Sequence, residues 1–202
     1  MPHEDVDSNL SSVQRQALLN IARWALETFV NDGSEASYRL RDSELEKPAA
    51  AFVTLTRKGD LRGCVGYSDP LYPLHQMISR CARSAASEDH RFPPVQRDEL
   101  SELRVSISVL SPLEKVDNLE NIIVGRDGLL VVDSECRGLL LPQVAPEQGW
   151  DREGFLDGVC RKAGLPDSAW RTGRLEIFVF QTENFSEGET GVADGMEAVT
   201  KT

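Results

Sequence analysis

Two glycines within four residues bracket a cysteine in Leu61-Arg62-Gly63-Cys64-Val65-Gly66, and the rest of that run reads as a β-strand. Glycine costs a strand both packing and backbone entropy, so a pair at this spacing predicts close approach by another backbone or by a ligand. Thiolate is the nucleophilic form of cysteine, and a guanidinium one strand repeat away favours the charged form. Gly63 and Gly66 leave the approach to the thiol open and expose backbone N–H groups to an anion, so Cys64 is the candidate catalytic residue and Arg62, Gly63 and Gly66 are candidate ligand contacts; against this, strand alternation puts residues 62 and 64 on one sheet face. The plainer reading is packing, because unpaired cysteine is among the most buried residue types. No base adjoins Cys64 in sequence, and His75 and His90 are the histidines available in the body of the chain.

Composition narrows the functional classes. Hydrophobic residues make up 40% of the 202 residues, enough for a full core in one domain. No apolar run approaches the roughly 18 to 20 residues a membrane helix requires. The first ten residues are acidic and polar, without the basic and apolar regions of an export signal, so a cytoplasmic protein is expected. Cys64, Cys81, Cys136 and Cys160 form no CxxC pair, which predicts reduced thiols in place of disulfides or a zinc site. His3, His75 and His90 match no common ligand spacing, and neither a metal nor a cofactor is expected. The formal net charge of −11 opposes nucleic-acid binding through phosphate neutralisation. Arg57 to Arg104 is different, with eight basic residues against seven acidic ones, and could tolerate a small carboxylate or phosphate.

Periodicity supplies the elements. Ser11 and Gln14 form a capping box for a helix to about Asn31, with Val13, Ala17, Ile21, Ala25 and Phe29 in its apolar stripe and Gly33 at its end. Residues 34–47 read as a loop. Strands over 49–56 and 61–67 flank Arg57-Lys58-Gly59-Asp60, a hairpin turn that places the cysteine motif on the second arm. A helix follows over 73–87, then Asp89-His90-Arg91-Phe92-Pro93-Pro94, whose paired prolines enforce an extended segment that could present Asp89 and Arg91 to a ligand. Val105, Ile107 and Val109 alternate with Arg104, Ser106 and Ser108 as a strand with one buried face. Ile122–Val124 and residues 129–133 are expected to pair across Gly125-Arg126-Asp127-Gly128, with another strand over 138–143, a helix over 151–163 and a last strand around Ile177. Cys81 and Cys160 fall on apolar helix faces, where packing outweighs reactivity. Hairpins outnumber crossovers, so the expected class is α+β with a largely antiparallel sheet and flanking helices. Neither GxGxxG nor GxxxxGK[ST] is present. Residues 1–10 and 186–202 are expected to be tails without enough apolar surface to fold.

Leu61–Gly66 is similar to the Leu-Arg-Gly-Cys-Ile-Gly hallmark of the AMMECR domain family, component A of the AmmeMemoRadiSam system, with Val65 in the isoleucine position. The resemblance extends through Asp89-His90-Arg91-Phe92-Pro93-Pro94, Ser106-Ile107-Ser108-Val109-Leu110 and Gly138-Leu139-Leu140-Leu141-Pro142-Gln143-Val144 to Trp150, Lys162-Ala163-Gly164-Leu165 and Trp170. It covers residues 11–185 and implies two unequal lobes, the larger holding both termini and the smaller inserted from mid-chain, with the signature lining a cleft. It also implies association with a Memo-like protein and a radical S-adenosylmethionine enzyme, without a defined reaction. His90 sits at a variable position of the family pattern, so no catalytic role carries over to it. The expected function is small-molecule or peptide-substrate binding around the motif, with Cys64 as the reactive thiol; the alternative is a noncatalytic adaptor for those two enzymes.

Overall fold

Periodicity of the two long helices translates directly into burial. The computed structural model describes residues 10–188 and the backbone of 199–201. In chain order the elements are α1 (Ser12–Asp32), β1 (Tyr38–Leu40), β2 (Ala51–Arg57), β3 (Asp60–Tyr67), α2 (Leu74–Ser87), β4 (Leu103–Leu110) and β5 (Glu114–Lys115). There follow β6 (Gly128–Val132), β7 (Arg137–Leu140), α3 (Val144–Gln148), α4 (Arg152–Lys162), β8 (Glu176–Phe180), β9 (Thr182–Ser186) and β10 (Val199–Lys201). No helix among the described residues is long and apolar enough to cross a membrane. The architecture is α+β, with two four-stranded antiparallel sheets.

Among the described residues, one compact unit comprises the chain up to Val109 together with Glu183 and the residues after it. Its sheet runs β3-β2-β4-β9, with β2 antiparallel to both β3 and β4. The register sets Ala51, Val53 and Leu55 opposite Val109, Ile107 and Val105, giving one continuous apolar face. Helix α2 covers it through Met77, Ile78, Cys81 and Ala85, and α1 packs on α2 with Ala17, Leu18, Ile21, Ala22 and Ala25 buried. Helix α1 begins at the expected capping box, with Ser11 accepting from the Gln14 amide, and ends at Gly33 in the left-handed conformation. Val13, expected in the stripe, is 46% exposed, since the stripe only becomes covered one turn further on. At the start of α2 the Leu74 and His75 amides donate to the Lys47 and Leu45 carbonyls, so the preceding loop satisfies groups a helix leaves open.

Three differences from expectation have identifiable physical causes. Residues 38–40, expected in a loop, form β1 because β10 pairs with them, a partner 161 residues away in register. Strand β9 goes unsignalled because Phe185 is the large buried side chain in it. Glu187, placed by the sequence pattern in an unfolded tail, accepts from Arg23 Nε and from the Val105 amide at 2.9 and 2.8 Å, so hydrogen bonding anchors a segment with little apolar surface to bury. Residues 1–9, 189–198 and 202, which carry most of the two expected tails, lie outside the described residues.

The second unit spans Leu110–Thr182, with sheet order β5-β8-β6-β7. Phe155, Leu156 and Val159 of α4 cover Leu129, Val131 and Ile177. Ile122–Val124 is not a strand. The buried Asp127 carboxylate takes the Ile123 amide at 2.8 Å, and the Arg126 and Asp127 amides donate to the Ile123 carbonyl, closing the segment as a turn. The hairpin partner of β6 is therefore β7. Gly138 lies under α4, where an added Cβ would sit 2.5 Å from the Ala163 nitrogen.

Candidate functional site

The cysteine motif occupies the edge strand β3, and each of its glycines is explained by a close approach. A Cβ on Gly63 would lie 2.1 Å from the Ala85 carbonyl oxygen, so this glycine lets α2 press against the sheet. A Cβ on Gly66 would lie 2.2 Å from the Phe52 ring, so that glycine makes room for an aromatic side chain on the opposite face. Both are thereby required by packing within the unit.

Antiparallel geometry places the thiol. The Cys64 amide points away from β2, to Asp89 Oδ2 at 2.8 Å, so Cys64 and its register partner Thr54 form a non-hydrogen-bonded pair, the kind with the closest side chains. Thr54 Oγ1 accordingly donates to Cys64 Sγ at 3.2 Å. Thr54 is opposite Ser106 on β4, and Ser186 Oγ of β9 donates to Ser106 Oγ at 3.0 Å. A row of one thiol and three hydroxyls, Cys64, Thr54, Ser106 and Ser186, thus crosses all four strands on the face away from the helices, each member half-buried.

Asp89 and Arg91, expected to face a ligand, pair with each other. Arg91 Nε and a terminal nitrogen reach the two Asp89 oxygens at 2.9 and 2.7 Å, and the Arg91 amide adds a third bond. This guanidinium, together with the Cys64 amide, holds the Asp89 carboxyl well below the usual carboxylate range. The Asp89 side chain is 7% exposed and that of Arg91 58%. Asp89 therefore seals the strand edge, taking up an amide that would otherwise seek another strand.

Arg62 has a different role from the one its spacing suggested. The β2–β3 register shifts between Leu55 and Thr56, pairing them with Gly63 and Leu61 and leaving Arg62 as the extra residue of a β-bulge. Bulges re-aim side chains. The Arg62 guanidinium grips both oxygens of Glu99 at 2.8 and 2.9 Å instead of lining the Cys64 sulfur, and both side chains are largely buried. Glu99 also accepts from the Gln96 amide and from Arg57, and Arg62 above all lowers its pKa to about 2. Arg62 and Arg91 both approach the Phe92 ring, at 6.0 and 5.5 Å from its centroid. Together these contacts fix the loop that carries Asp89.

The other candidates separate by burial. Burial pushes the Cys81 thiol up to about 12 and raises that of Cys160, so both stay protonated in the interior. His75 is buried and bonds Tyr38 and Glu46 on its two ring nitrogens, at 3.0 and 3.3 Å. His90 is exposed in the turn after α2. Among the described residues no group of three or more His, Cys, Asp and Glu side chains is arranged to hold a metal. Sequence reasoning missed Thr54, Ser106, Ser186 and Glu99. The polar phase of the β4 alternation was the available signal for Ser106, whereas Thr54 and Ser186 required the register.

Residues 19–185 match the AMMECR1 family model. A protein of Methanothermobacter thermautotrophicus is 43% identical over 187 residues, covering 88% of this chain and 96% of that one. Protein PF1979 of Pyrococcus furiosus is 40% identical over 181 residues, covering 84% and 86%. Among solved structures, that of the uncharacterized protein PH0010 from Pyrococcus horikoshii superposes with a TM-score of 0.81 at 37% identity, covering 92% of this chain and 94% of that one.

Proposed function

Because this chain belongs to the AMMECR1 family, we propose that it binds a small molecule or a peptide substrate over the Cys64 end of the hydroxyl row, with Cys64 as the nucleophile. The observation that carries this reading is the contrast among thiols. Cys64 and Cys136 are the half-buried thiols, and Cys64 is the one hydrogen-bonded through sulfur to Thr54 and pinned through its amide to Asp89, while Cys81 and Cys160 are sealed in the two cores. Orientation of that kind suits a nucleophile held for attack. Asp89 and Arg91 position the strand edge, and Gly66 keeps its surface low beside Phe52. Four free cysteines suit a reducing cytoplasm. The family association with a Memo-like protein and a radical S-adenosylmethionine enzyme supplies the pathway in which such a step would sit. Measuring pathway flux with purified components tests the reading: Cys64→Ala is expected to abolish it while leaving the fold intact, and full flux in that variant excludes a nucleophilic role.

A noncatalytic adaptor is the second reading, favoured by the exposed apolar side chains at the C-terminal end of β3 and in the loop after it. Tyr67 and Leu71 are 38 and 64% exposed, and exposed apolar residues mark interaction surfaces when they gather. Co-purification with the Memo-like protein that is lost in Leu71→Asp but kept in Cys64→Ala supports it; turnover by the isolated chain overturns it.

A further inference from the structure

We infer that the Cys64 site selects an uncharged, hydrogen-bonding small molecule, of amide or alcohol character, and discriminates against anions. This deepens the reading above and rests on its premise that the Cys64 sulfur can be reached. Four cations cluster around the β2–β3 hairpin and the following loop, and every one has a carboxylate partner: Arg57 and Lys58 with Glu102, Arg62 with Glu99, Arg91 with Asp89. Arg62 and Arg91 use the bidentate fork that would otherwise grip a ligand carboxylate or phosphate.

Displacing those partners would be costly either way. Glu99 also satisfies the Gln96 amide and Asp89 the Cys64 amide, so an incoming anion would leave a largely buried carboxylate without its guanidinium or, if the carboxylate swings out, a backbone donor without its acceptor. What lies beside the sulfur is the Thr54 hydroxyl, which donates its proton to Cys64 Sγ and keeps its oxygen lone pairs as acceptors, and the row continues on the next strands through Ser106, whose own proton is left for a further acceptor, and Ser186. Arg104, two residues from Ser106 on β4, is itself engaged. The net charge of −11 adds a field that disfavours anions within about 8–10 Å of the surface at physiological salt. An arginine-rich stretch therefore folds into a surface whose recognition chemistry is neutral.

Alkylation with two reagents of the same size, one neutral and one anionic, tests this. In a Cys136→Ser chain, Cys64 is the one thiol that is not buried, and its labelling is followed by peptide mass mapping with iodoacetamide or iodoacetate. Each rate is divided by that of a Gly-Cys-Val-Gly reference peptide. The expected normalised ratio favours iodoacetamide by roughly tenfold, and Asp89→Asn, which releases the Arg91 charge, is expected to bring the ratio back toward one. The wild-type ratio decides the matter even if Asp89→Asn does not fold. A normalised iodoacetate rate equal to or above that of iodoacetamide overturns the selectivity and leaves the accessible thiol standing. Inertness of Cys64 to both reagents overturns the accessible-thiol reading and this inference with it.

Discussion

The two faces of the β3-β2-β4-β9 sheet share strands, register and edge, yet they follow opposite rules. On one, Ala51, Val53, Leu55, Val105 and Ile107 lie at 0 or 1% exposure beneath α2, and Gly63 exists so that the helix can approach. On the other, the same strands present Thr54, Cys64, Ser106 and Ser186, all half-buried and bonded in pairs. Period-two alternation makes both faces at once, so outside the bulge at Arg62 the parity of a position decides which face a substitution alters. Stability resides on the helix face, and the chemistry proposed above on the other.

Breaking the apolar face should have the largest effect. Ile107→Ala is expected to cost about 4 kcal/mol in urea unfolding, through lost burial and the cavity left behind, without altering the relative labelling of Cys64 by the two reagents. Gly63→Ala should cost about 3 kcal/mol, because the new Cβ meets a backbone oxygen of α2 and the helix must move; equal stability to wild type would show that α2 is not seated on this strand. The edge pairs come next. Glu99 and Asp89 both have folded-state pKa values depressed below their usual range. The stability they lend is therefore complete above about pH 5 and drains as pH falls through the folded values. Glu99 accounts for about 3 kcal/mol of that loss on the way to pH 2, and an acid-unfolding curve of Glu99→Gln should be correspondingly flatter. Smallest is Ser106→Ala, expected to change stability by under about 1 kcal/mol since it removes one half-exposed hydrogen bond. A loss of several kcal/mol there would erase the distinction between the faces.

Much of the scaffold was legible along the chain. The α1 capping box, the α2 and α4 apolar stripes and the β4 alternation all depend on residues within a few positions of one another, and each formed where its pattern lay. The β1–β10 pair and β9 were not legible, since their stability comes from partners far away in sequence and from polar anchors such as Glu187 with Arg23. The candidate site divides in the same way. Cys64, Gly63, Gly66 and Asp89 stand out as residue types in unusual places. Their partners Thr54 and Glu99 are ordinary residues that matter only through register and a bulge.

By itself the sequence determined that this is an α+β chain with a glycine-flanked thiol on a strand, because local periodicity and backbone cost are written residue by residue. Only the tertiary structure decided what that thiol touches and where the arginine charges go. A single extra residue in β3 turned Arg62 toward Glu99, and an outward amide drew in Asp89 with Arg91. Charge pairing depends on distances across the fold, which no count of basic and acidic residues along a segment can supply.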